Sequence, residues 1–408
     1  MGLWFPHFMT APEDIAKKTY FWDKLRGTSQ GVLETGYMGL TLVIAIEVFD
    51  APNEVKSLIA AANPIGLIIT PLTLGFFAWL RRPANFVASN LFYLSAVCTA
   101  AAAFSPSLNI YLVLLILAAV FATQSVPMMA HIYAENYPPD KRGTYFSTSF
   151  MFSVTATFIF SLLFGKLLDL NIANFTWVLG SLSLASFLGG LAMRRMPSSP
   201  IHQQSTQNPI RNIGYAFTDW KFGIMLLSWM FLGLGNLMAN PLRIEYLLKP
   251  EYGVAATISM VSFLTLGLPA ICRFLSVKFW GILFDRIDFM ILRMLVNTLQ
   301  MVSILIFFSS KNLWILGFAT GLNGIAMGGG TLSWNLWVTK FAPKEKTAAY
   351  MSVHTFLTGI RGFVAPFLGF YLLVRYGAMP TGIIGSAMIL ISIVMVYVLY
   401  LNVRPKRS

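Results

Sequence analysis

Twelve long apolar stretches run through the 408-residue chain, and the pattern of the first half recurs in the second half. Two short polar loops show the repeat. Pro139 and Pro343 lie 204 residues apart, and each is followed three positions later by a basic residue, Arg142 or Lys346, and then by a new apolar run. Because this offset is half the chain length, the sequence predicts two similar units of six apolar stretches each.

Composition places these stretches in a membrane. Apolar residues make up 56% of the chain and charged residues 11%, against about 25% charged residues in soluble domains. Most stretches reach the roughly 20 residues that cross a bilayer as a helix, and helix is the state that satisfies the backbone there. The prediction is an all-α membrane protein of twelve transmembrane helices in two pseudo-symmetric six-helix halves, an arrangement typical of transporters with parallel repeats. The predicted spans are 26–49, 54–78, 86–104, 109–133, 145–167, 174–193, 222–245, 255–283, 289–309, 312–339, 347–374 and 381–402.

The polar segments between spans predict the domain boundaries and the orientation. Residues 1–193 form the first half, 194–221 a flexible linker, and 222–408 the second half. Lys and Arg concentrate in the gaps on the side of the N-terminus, which predicts that both termini and the linker are cytoplasmic. Lys56 and Lys249 are then outside. The first twenty residues lack the apolar core of a cleavable signal peptide, and the cell's inner membrane is the expected location.

Several function classes find no support in the residues. The net charge of +13 lies mainly between apolar runs, which argues against a nucleic-acid partner. Cys98 and Cys272 lie inside spans, and no His/Cys cluster has metal-ligand spacing. No phosphate-binding G-x-x-x-x-G-K-[ST] loop is present, and no nucleophile–base arrangement indicates an enzyme. We expect no metal and no cofactor, and a monomer whose partners are lipid and a small-molecule solute.

Three charged residues fall near the predicted midplane, where charges usually face a cavity or a partner. Arg273 lies about 18 Å, Arg361 about 21 Å and Glu34 about 15 Å from the cytoplasmic ends of their helices, at 1.5 Å per residue. Helical spacing predicts polar stripes on the first, fourth, seventh, eighth, tenth and eleventh spans, and those on the first, eighth and eleventh include these charges. The predicted solute-binding residues are Arg361, Arg273, Glu34, Tyr37, Gln30, Thr358, Gln124 and Asn323.

The balance of these charges favours a solute with an anionic or carboxylate group, because guanidinium pairs with such groups in a fork geometry. The acids of the second half lie in loops or at span ends, so a partner for Arg273 or Arg361 has to come from Glu34. At least one arginine is then in excess. Glu34, with His131 or His354, could carry a coupling proton. The alternative is that the arginines neutralise carboxylates or cap carbonyls, and that the histidines serve packing.

The run from Gly281 to Arg286, Gly-Ile-Leu-Phe-Asp-Arg, resembles the G-x-L-x-D-R loop signature of the major facilitator superfamily, with Arg293 seven residues further on. Twelve spans, inside termini, a central linker and two repeats extend the resemblance over the whole chain, without assigning a subfamily. It implies that helices 1, 4, 7, 8, 10 and 11 border a central cavity. It also implies a conformational latch at Gly281, Asp285 and Arg286, with Arg142 in a loop similar to the fourth-to-fifth connection.

The first-half loop departs from this pattern, because Gly75 is kept but Trp79 stands where the Asp would be. Two hypotheses therefore remain. One is a secondary transporter that moves a small solute by alternating access, with a proton or ion as the coupling partner. The other is a receptor, sensor or assembly factor that kept the fold but lost transport. The polar stripes through both halves favour the transporter.

Overall fold

The computed structural model describes residues 12–138, 141–201, 209–342 and 346–403, and within them the chain is helical. Five short helical turns occur in the connections. The long helices are α1 (Pro12–Thr35, Gly36–Leu40 and Thr41–Glu47), α2 (Asn53–Ala60 and Ala62–Trp79), α3 (Ala84–Ala102), α4 (Leu108–Asn136), α5 (Arg142–Leu170), α6 (Phe175–Arg195), α7 (Trp220–Leu248), α8 (Ile258–Ser262, Phe263–Gly267 and Leu268–Arg286), α9 (Phe289–Ser309), α10 (Leu313–Leu336), α11 (Thr347–Tyr376) and α12 (Ala378–Val403).

Ten of these helices, all except α1 and α10, are long and apolar enough within the described residues to cross a membrane. The protein is therefore an integral, multi-pass membrane protein, as the composition predicts. Lipid explains why many large apolar side chains are exposed, such as Trp314 at 88% and Phe104 at 83%.

Close backbone approaches hold neighbouring helices together. In the first half, α3 packs on α4 and α6, and α1 packs on α5. In the second half, α7 packs on α12, and α8 packs on α10. Gly31 of α1 shows why small residues occur at these crossings, because a Cβ atom there would lie 2.0 Å from the carbonyl oxygen of Ser153. Such small residues allow tight packing where lipid supplies no hydrophobic drive for helix association.

The helices of residues 12–195 and those of residues 220–403 meet through α2 with α11 and through α5 with α8. We call the surface where the two sets of helices meet the junction. At one end, which we call the closed end, ion pairs and caps join them. Lys56 Nζ donates to Glu245 Oε1 at 2.6 Å, and both side chains are buried. Asp169 accepts from the backbone N–H groups of Ile258 and Ser259 at 2.7 and 2.9 Å, which caps the start of α8.

At the opposite end, which we call the open end, no ion pair joins the two sets of helices among the described residues. A Cβ atom added there at Gly75, Gly143 or Gly281 would meet no atom within 4 Å, and Trp79 is 65% exposed. The ion pairs and the helix cap that join the two sets therefore lie away from the open end.

Two π-helical segments interrupt the polar stripes predicted on α1 and α8. They are Gly36–Leu40 and Phe263–Gly267, and they touch each other across the junction, where Gly39 approaches Leu266. A π turn rotates the residues that follow it relative to the α-helical period. Stripes drawn through these segments at a constant α-helical spacing are therefore wrong in detail.

The beginning of the linker is attached to the first half, which corrects the prediction that the whole linker is flexible. The backbone N–H of Ala84 donates to the Ser199 carbonyl at 3.0 Å. Asn85 and Asn136 donate to the carbonyls of Met196 and Pro197 at 2.8 and 2.7 Å. Residues 202–208 lie outside the described part of the chain.

Candidate solute-binding site

A cavity of about 360 Å³ lies among α7, α9, α10 and α11, and we call it the basic cavity. Two arginines, Arg293 and Arg361, are its charged lining residues. The rest of the lining is mostly aromatic, aliphatic or amide-bearing. The cavity thus combines two permanent positive charges with a largely apolar wall.

Arg361 enters this cavity from α11 and is held by α7. Its side chain is 4% exposed. Nη1 donates to the Trp229 carbonyl, and Nη2 donates to Thr358 Oγ1 at 3.0 Å. Gly233 makes room for the side chain, because a Cβ atom there would lie 2.2 Å from Arg361 Cδ. The guanidinium is therefore fixed in place by neutral oxygen atoms.

Arg293 contributes the second charge. The sequence predicts it near the cytoplasmic end of the ninth span, and it lies one turn inside α9 and is 1% exposed. Its Cζ atom lies 3.4 Å from the centroid of the Trp229 ring, a close cation–π stack. Nη2 donates to Ser228 Oγ at 3.5 Å, and Nε and Nη1 have no hydrogen-bond partner among the described residues.

His354 lies beside this pair, within an aromatic cluster. Its ring centroid is 5.1 Å from those of Trp229 and Trp337 and 5.4 Å from that of Trp334. Neither ring nitrogen has a hydrogen-bond partner within the described part of the chain. His354 therefore adds a buried polar ring beside the two guanidinium groups, held by ring contacts.

The charges of the basic cavity are not balanced by the protein residues that the structure describes. Within the described ranges, no Asp or Glu lies within ion-pair distance of Arg293 or Arg361. Buried charges are normally paired, because removing an ion from water is costly. The arrangement is suited to bind an anion.

A second charged group crosses the junction between α1 and α8. Arg273 donates from Nη1 and Nη2 to the two carboxylate oxygens of Glu34 at 3.0 and 3.2 Å, a bidentate pair. The prediction that Glu34 could pair with Arg361 is therefore wrong, because Arg273 occupies both of its oxygens. Thr157 of α5 also lies 3.5 Å from Glu34 Oε2. The pair links the two halves near the π segments.

A smaller cavity of about 70 Å³ adjoins this pair, and we call it the junction cavity. Glu34, Arg273 and Arg243 line it, together with Asn240 and Asn323. Met327 lines both the junction cavity and the basic cavity, so the two are neighbours.

An amide chain connects the walls of the two cavities. Gln300 Nε2 donates to Asn236 Oδ1 at 2.5 Å and to Asn323 Oδ1 at 2.7 Å. Asn323, a predicted binding residue, therefore faces the site but is held by its neighbours. Gln300 and Asn236 line the basic cavity, and Asn323 lines the junction cavity.

The remaining predicted residues occupy other places. Gln124 is buried and binds the Gly66 carbonyl at 2.9 Å and Thr73, so it joins α2 to α4. The Tyr37 hydroxyl is 3.3 Å from Ser95 Oγ and 3.2 Å from Thr99 Oγ1 of α3. Gln30 is exposed. None of these contacts joins the basic cavity.

His131, predicted as a coupling residue beside Glu34, lies at the open end of α4. Its Nε2 atom is 3.2 Å from Ser199 Oγ and 3.7 Å from a Glu135 carboxylate oxygen. The structure thus brings His131 to the attached start of the linker, and not to Glu34.

No protein-family model matches the sequence, and no curated protein matches it either. Solved structures do match. The nucleoside transporter NupG aligns with a TM-score of 0.72 at 13% identity, covering 96% of this chain and 100% of that chain. The chain has the major facilitator fold. A D-xylose–proton symporter aligns at TM-score 0.71 and 14% identity, over 93% of this chain and 97% of that chain. A bacterial homologue of the human lysosomal transporter Spinster, solved in an inward-facing and occupied conformation, aligns at TM-score 0.66 and 12% identity, over 98% of this chain and 100% of that chain.

Within the major facilitator fold, the predicted latch residues lie at the open end. Asp285 and Arg286 are exposed, and neither forms an ion pair with a described residue. Arg142 folds back on α4 and donates to the carbonyls of Ala134 and Tyr137 at 2.9 and 3.2 Å. Gly281 is free of close neighbours.

Sequence reasoning missed four residues that the major facilitator fold brings to the site, namely Arg293, Arg243, Trp229 and Gln300. The two arginines lie near predicted span ends, where a solvated charge is the ordinary interpretation. The sequence does contain a pattern that indicates the position of Arg293. It lies seven residues, or two helical turns, before Gln300, so the two residues share a polar face of α9.

Proposed function

We propose that this protein is a secondary active transporter that moves a small solute bearing an anionic group across the membrane by alternating access. Twelve spans form two six-helix halves, residues 1–193 and 222–408, joined by the linker 194–221. The protein is placed in the cell's inner membrane as a monomer with both termini cytoplasmic. The distribution of Lys and Arg supports this orientation, and the internal repeat supports rocking of the halves around a central site.

One observation carries the anion assignment: Arg293 and Arg361 share a cavity, both are buried, and neither has a carboxylate partner among the described residues. An anion between the α7, α9 and α11 walls would compensate both charges. The fork geometry of guanidinium suits carboxylate and phosphate groups. Thr358 and the Trp229 carbonyl hold Arg361 in advance, which lowers the ordering cost of binding.

The closed end lies outside in this orientation, so the structure corresponds to an inward-facing state. Glu34, paired with Arg273 across the junction, is the proposed site of a coupling proton. Protonation of Glu34 would remove the bidentate pair and loosen the contact between halves. Asp285, Arg286, Gly281 and Arg142 would form their latch in the opposite, outward-facing state, when the open end closes.

The test begins with a thermal-shift screen of the purified protein against carboxylates, phosphates, sugars and amines. Hits are then measured for uptake into proteoliposomes. Arg361→Gln should lower the affinity for an anionic hit by about ten- to hundredfold, the usual weight of hydrogen bonds to a charged group. Arg361→Lys keeps the charge but loses the fork, so it should weaken binding less.

Arg375→Gln is the matched control, because Arg375 is on the same helix but exposed. Normal anion uptake by a folded Arg361→Gln protein would contradict the proposal. The receptor or sensor alternative is favoured by Trp79, which replaces a latch carboxylate in the first half. It predicts binding of a hit without uptake in proteoliposomes.

A further inference from the structure

Arg243 of α7, a fourth buried guanidinium beside those of Arg273, Arg293 and Arg361, has no part in the function proposed above. It is 3% exposed and lines the junction cavity. Nη1 donates to Asn240 Oδ1 at 3.1 Å and Nη2 to Ser303 Oγ at 3.3 Å, while Nε has no partner among the described residues. Its Cζ atom lies 5.6 Å from the Phe307 ring centroid. All of these partners are neutral.

Two carboxylates that share the junction cavity or the helix of Arg243 are already paired. Glu34 is engaged by Arg273 through both oxygens. Glu245, two residues along α7, accepts from Lys56 at 2.6 Å. Within the described residues, Arg243 therefore adds an unbalanced positive charge to the junction cavity, as Arg293 and Arg361 do in the basic cavity.

The two sites of positive charge are separated along the membrane normal. Arg361 packs against Gly233 of α7, and Arg243 lies ten residues further along that helix, which is about 15 Å at 1.5 Å per residue. Helix α9 gives the same spacing. Arg293 lies at one level, and Ser303, the partner of Arg243, lies ten residues further on, again about 15 Å of helix.

Polar residues lie between these levels, and one residue lines both cavities. Asn236, Gln300 and Asn323 form a hydrogen-bonded chain there, and Met327 borders both cavities. The walls therefore offer a path from one positive group to the other, with apolar surface beside it.

We propose that the transported solute is an elongated dianion with an acidic group at each end. One acidic group binds Arg293 and Arg361, and the other binds Arg243. This inference rests on the proposed function and specifies its substrate class. A monoanion of the same length fills the cavities but leaves Arg243 unbalanced.

The experiment compares a series of unbranched dicarboxylates, from succinate to sebacate, with the monomethyl ester of each. The ester preserves length and removes one charge. Calorimetric titration of the purified protein at constant ionic strength should show that the affinity for diacids rises with their chain length to a maximum and then falls. The best diacid should bind about ten- to hundredfold more tightly than its ester. In Arg243→Gln, diacid and ester should bind alike.

Each other outcome overturns the inference in a recognisable way. If ester and diacid bind equally to the unaltered protein, while Arg361→Gln removes both, the two-ended solute is wrong and the proposed function stands. If neither binds and no anion is taken up, the proposed function itself fails. If chloride alone stabilises the protein, and Arg243→Gln abolishes that effect, Arg243 holds an inorganic ion.

Arg243→Lys covers the case in which Arg243→Gln does not fold. It keeps the positive charge and should retain part of the preference for diacids. Arg375→Gln should leave the preference intact. The comparison of diacid with ester in the unaltered protein decides the question without any variant.

Discussion

Gly233 sets the position of Arg361 more than any of the partners that Arg361 binds. A Cβ atom at this position would lie 2.2 Å from Arg361 Cδ and 2.3 Å from Nε. Van der Waals contact needs more than 3 Å, so the arginine would have to leave the Trp229 carbonyl. A residue without charge or hydrogen-bonding side chain thus determines the geometry of a charged site.

Gly233→Ala should therefore weaken anion binding by about tenfold, because displacing the guanidinium by even a small distance removes a charge-assisted hydrogen bond. The measurement is affinity for an anionic hit, with melting temperature as the check on folding. Gly75→Ala is the matched control, since a Cβ atom there meets nothing within 4 Å. Equal affinity in the two variants would show that Arg361 does not contact the solute.

The sequence predicts burial most directly where a charge lies far inside an apolar run. It places Arg361, Arg273 and Glu34 within spans, and the structure brings Glu34 to Arg273; their roles in binding stay predictions. The sequence could not choose between the two arginines as partners of Glu34, because that choice depends on how α1 faces α8. Arg293 lies near a span end, and its burial depends on stacking with Trp229 of a different helix.

At the scale of the element, α8 depends on the other half of the protein for its cap. Asp169, at the end of α5, accepts two backbone N–H groups and the Ser259 hydroxyl at the start of α8. Helix N-terminal N–H groups need such an acceptor, and carboxylates also suit the helix dipole there. The cap joins α5 to α8 only while the closed end remains closed.

Asp169→Ala should shift the equilibrium toward opening of the closed end, because alanine has no side-chain acceptor, whereas asparagine would still cap the helix. A lost cap costs about 0.5–2 kcal/mol, which corresponds to a population change of roughly two- to thirtyfold at 1.4 kcal/mol per tenfold. The probe is Ile244→Cys, with Cys98 and Cys272 replaced by alanine, and an impermeant thiol reagent added from outside. Ile244 lines the junction cavity and is 1% exposed.

Labelling of the probe should accelerate in the Asp169→Ala protein. Asp50→Ala is the control, because the pair of Asp50 with Lys249 is 3.3 Å long and the Asp50 side chain is 94% exposed. Exposed pairs contribute little, so labelling should stay near the unaltered rate. An equal increase in both variants would exclude a specific role for the α8 cap.

The apolar periodicity of the sequence could not predict the two π-helical segments within α1 and α8. Apolar period and length predicted the existence of most helices, and these are confirmed as helical. The extra residue per turn occurs at Gly36–Leu40 and Phe263–Gly267, which touch each other across the junction, and no local sequence pattern encodes such a contact. The Tyr37 hydroxyl contacts α3, while the residue also lines a cavity shared with Asn240.

At the scale of the whole molecule, substitutions at the two ends should shift the equilibrium between the inward- and outward-facing states in opposite directions. Asp285 is exposed in the present state, so Asp285→Asn should leave this state unaffected. If the latch forms when the open end closes, the same change destabilises the outward-facing state. The Ile244→Cys probe should then be labelled more slowly from outside, and the transport rate should fall more than the affinity.

Trp79→Leu serves as the comparison for this prediction, because Trp79 occupies the matching loop of the first half without a charge. Its effect on labelling should be small. If Asp285→Asn and Trp79→Leu change labelling equally, or if Asp285→Asn accelerates it, the latch is wrong.

The hydrogen bonds of Gln300 give the cavity wall a polarity. Its amide nitrogen uses both hydrogens, one toward Asn236 and one toward Asn323, so both asparagines must turn their oxygens inward to it. Their NH2 groups then point away from Gln300, and that of Asn323 reaches Met327 Sδ at 3.6 Å, on the border of the two cavities. The asparagine oxygens in this wall are occupied by Gln300, and the asparagine NH2 groups are left as donors. A carboxylate in place of the Gln300 amide would reverse this arrangement, because both asparagines would rotate to donate their N–H groups to it. If the solute is anionic as proposed, the orientation of these three uncharged side chains favours it together with the arginines.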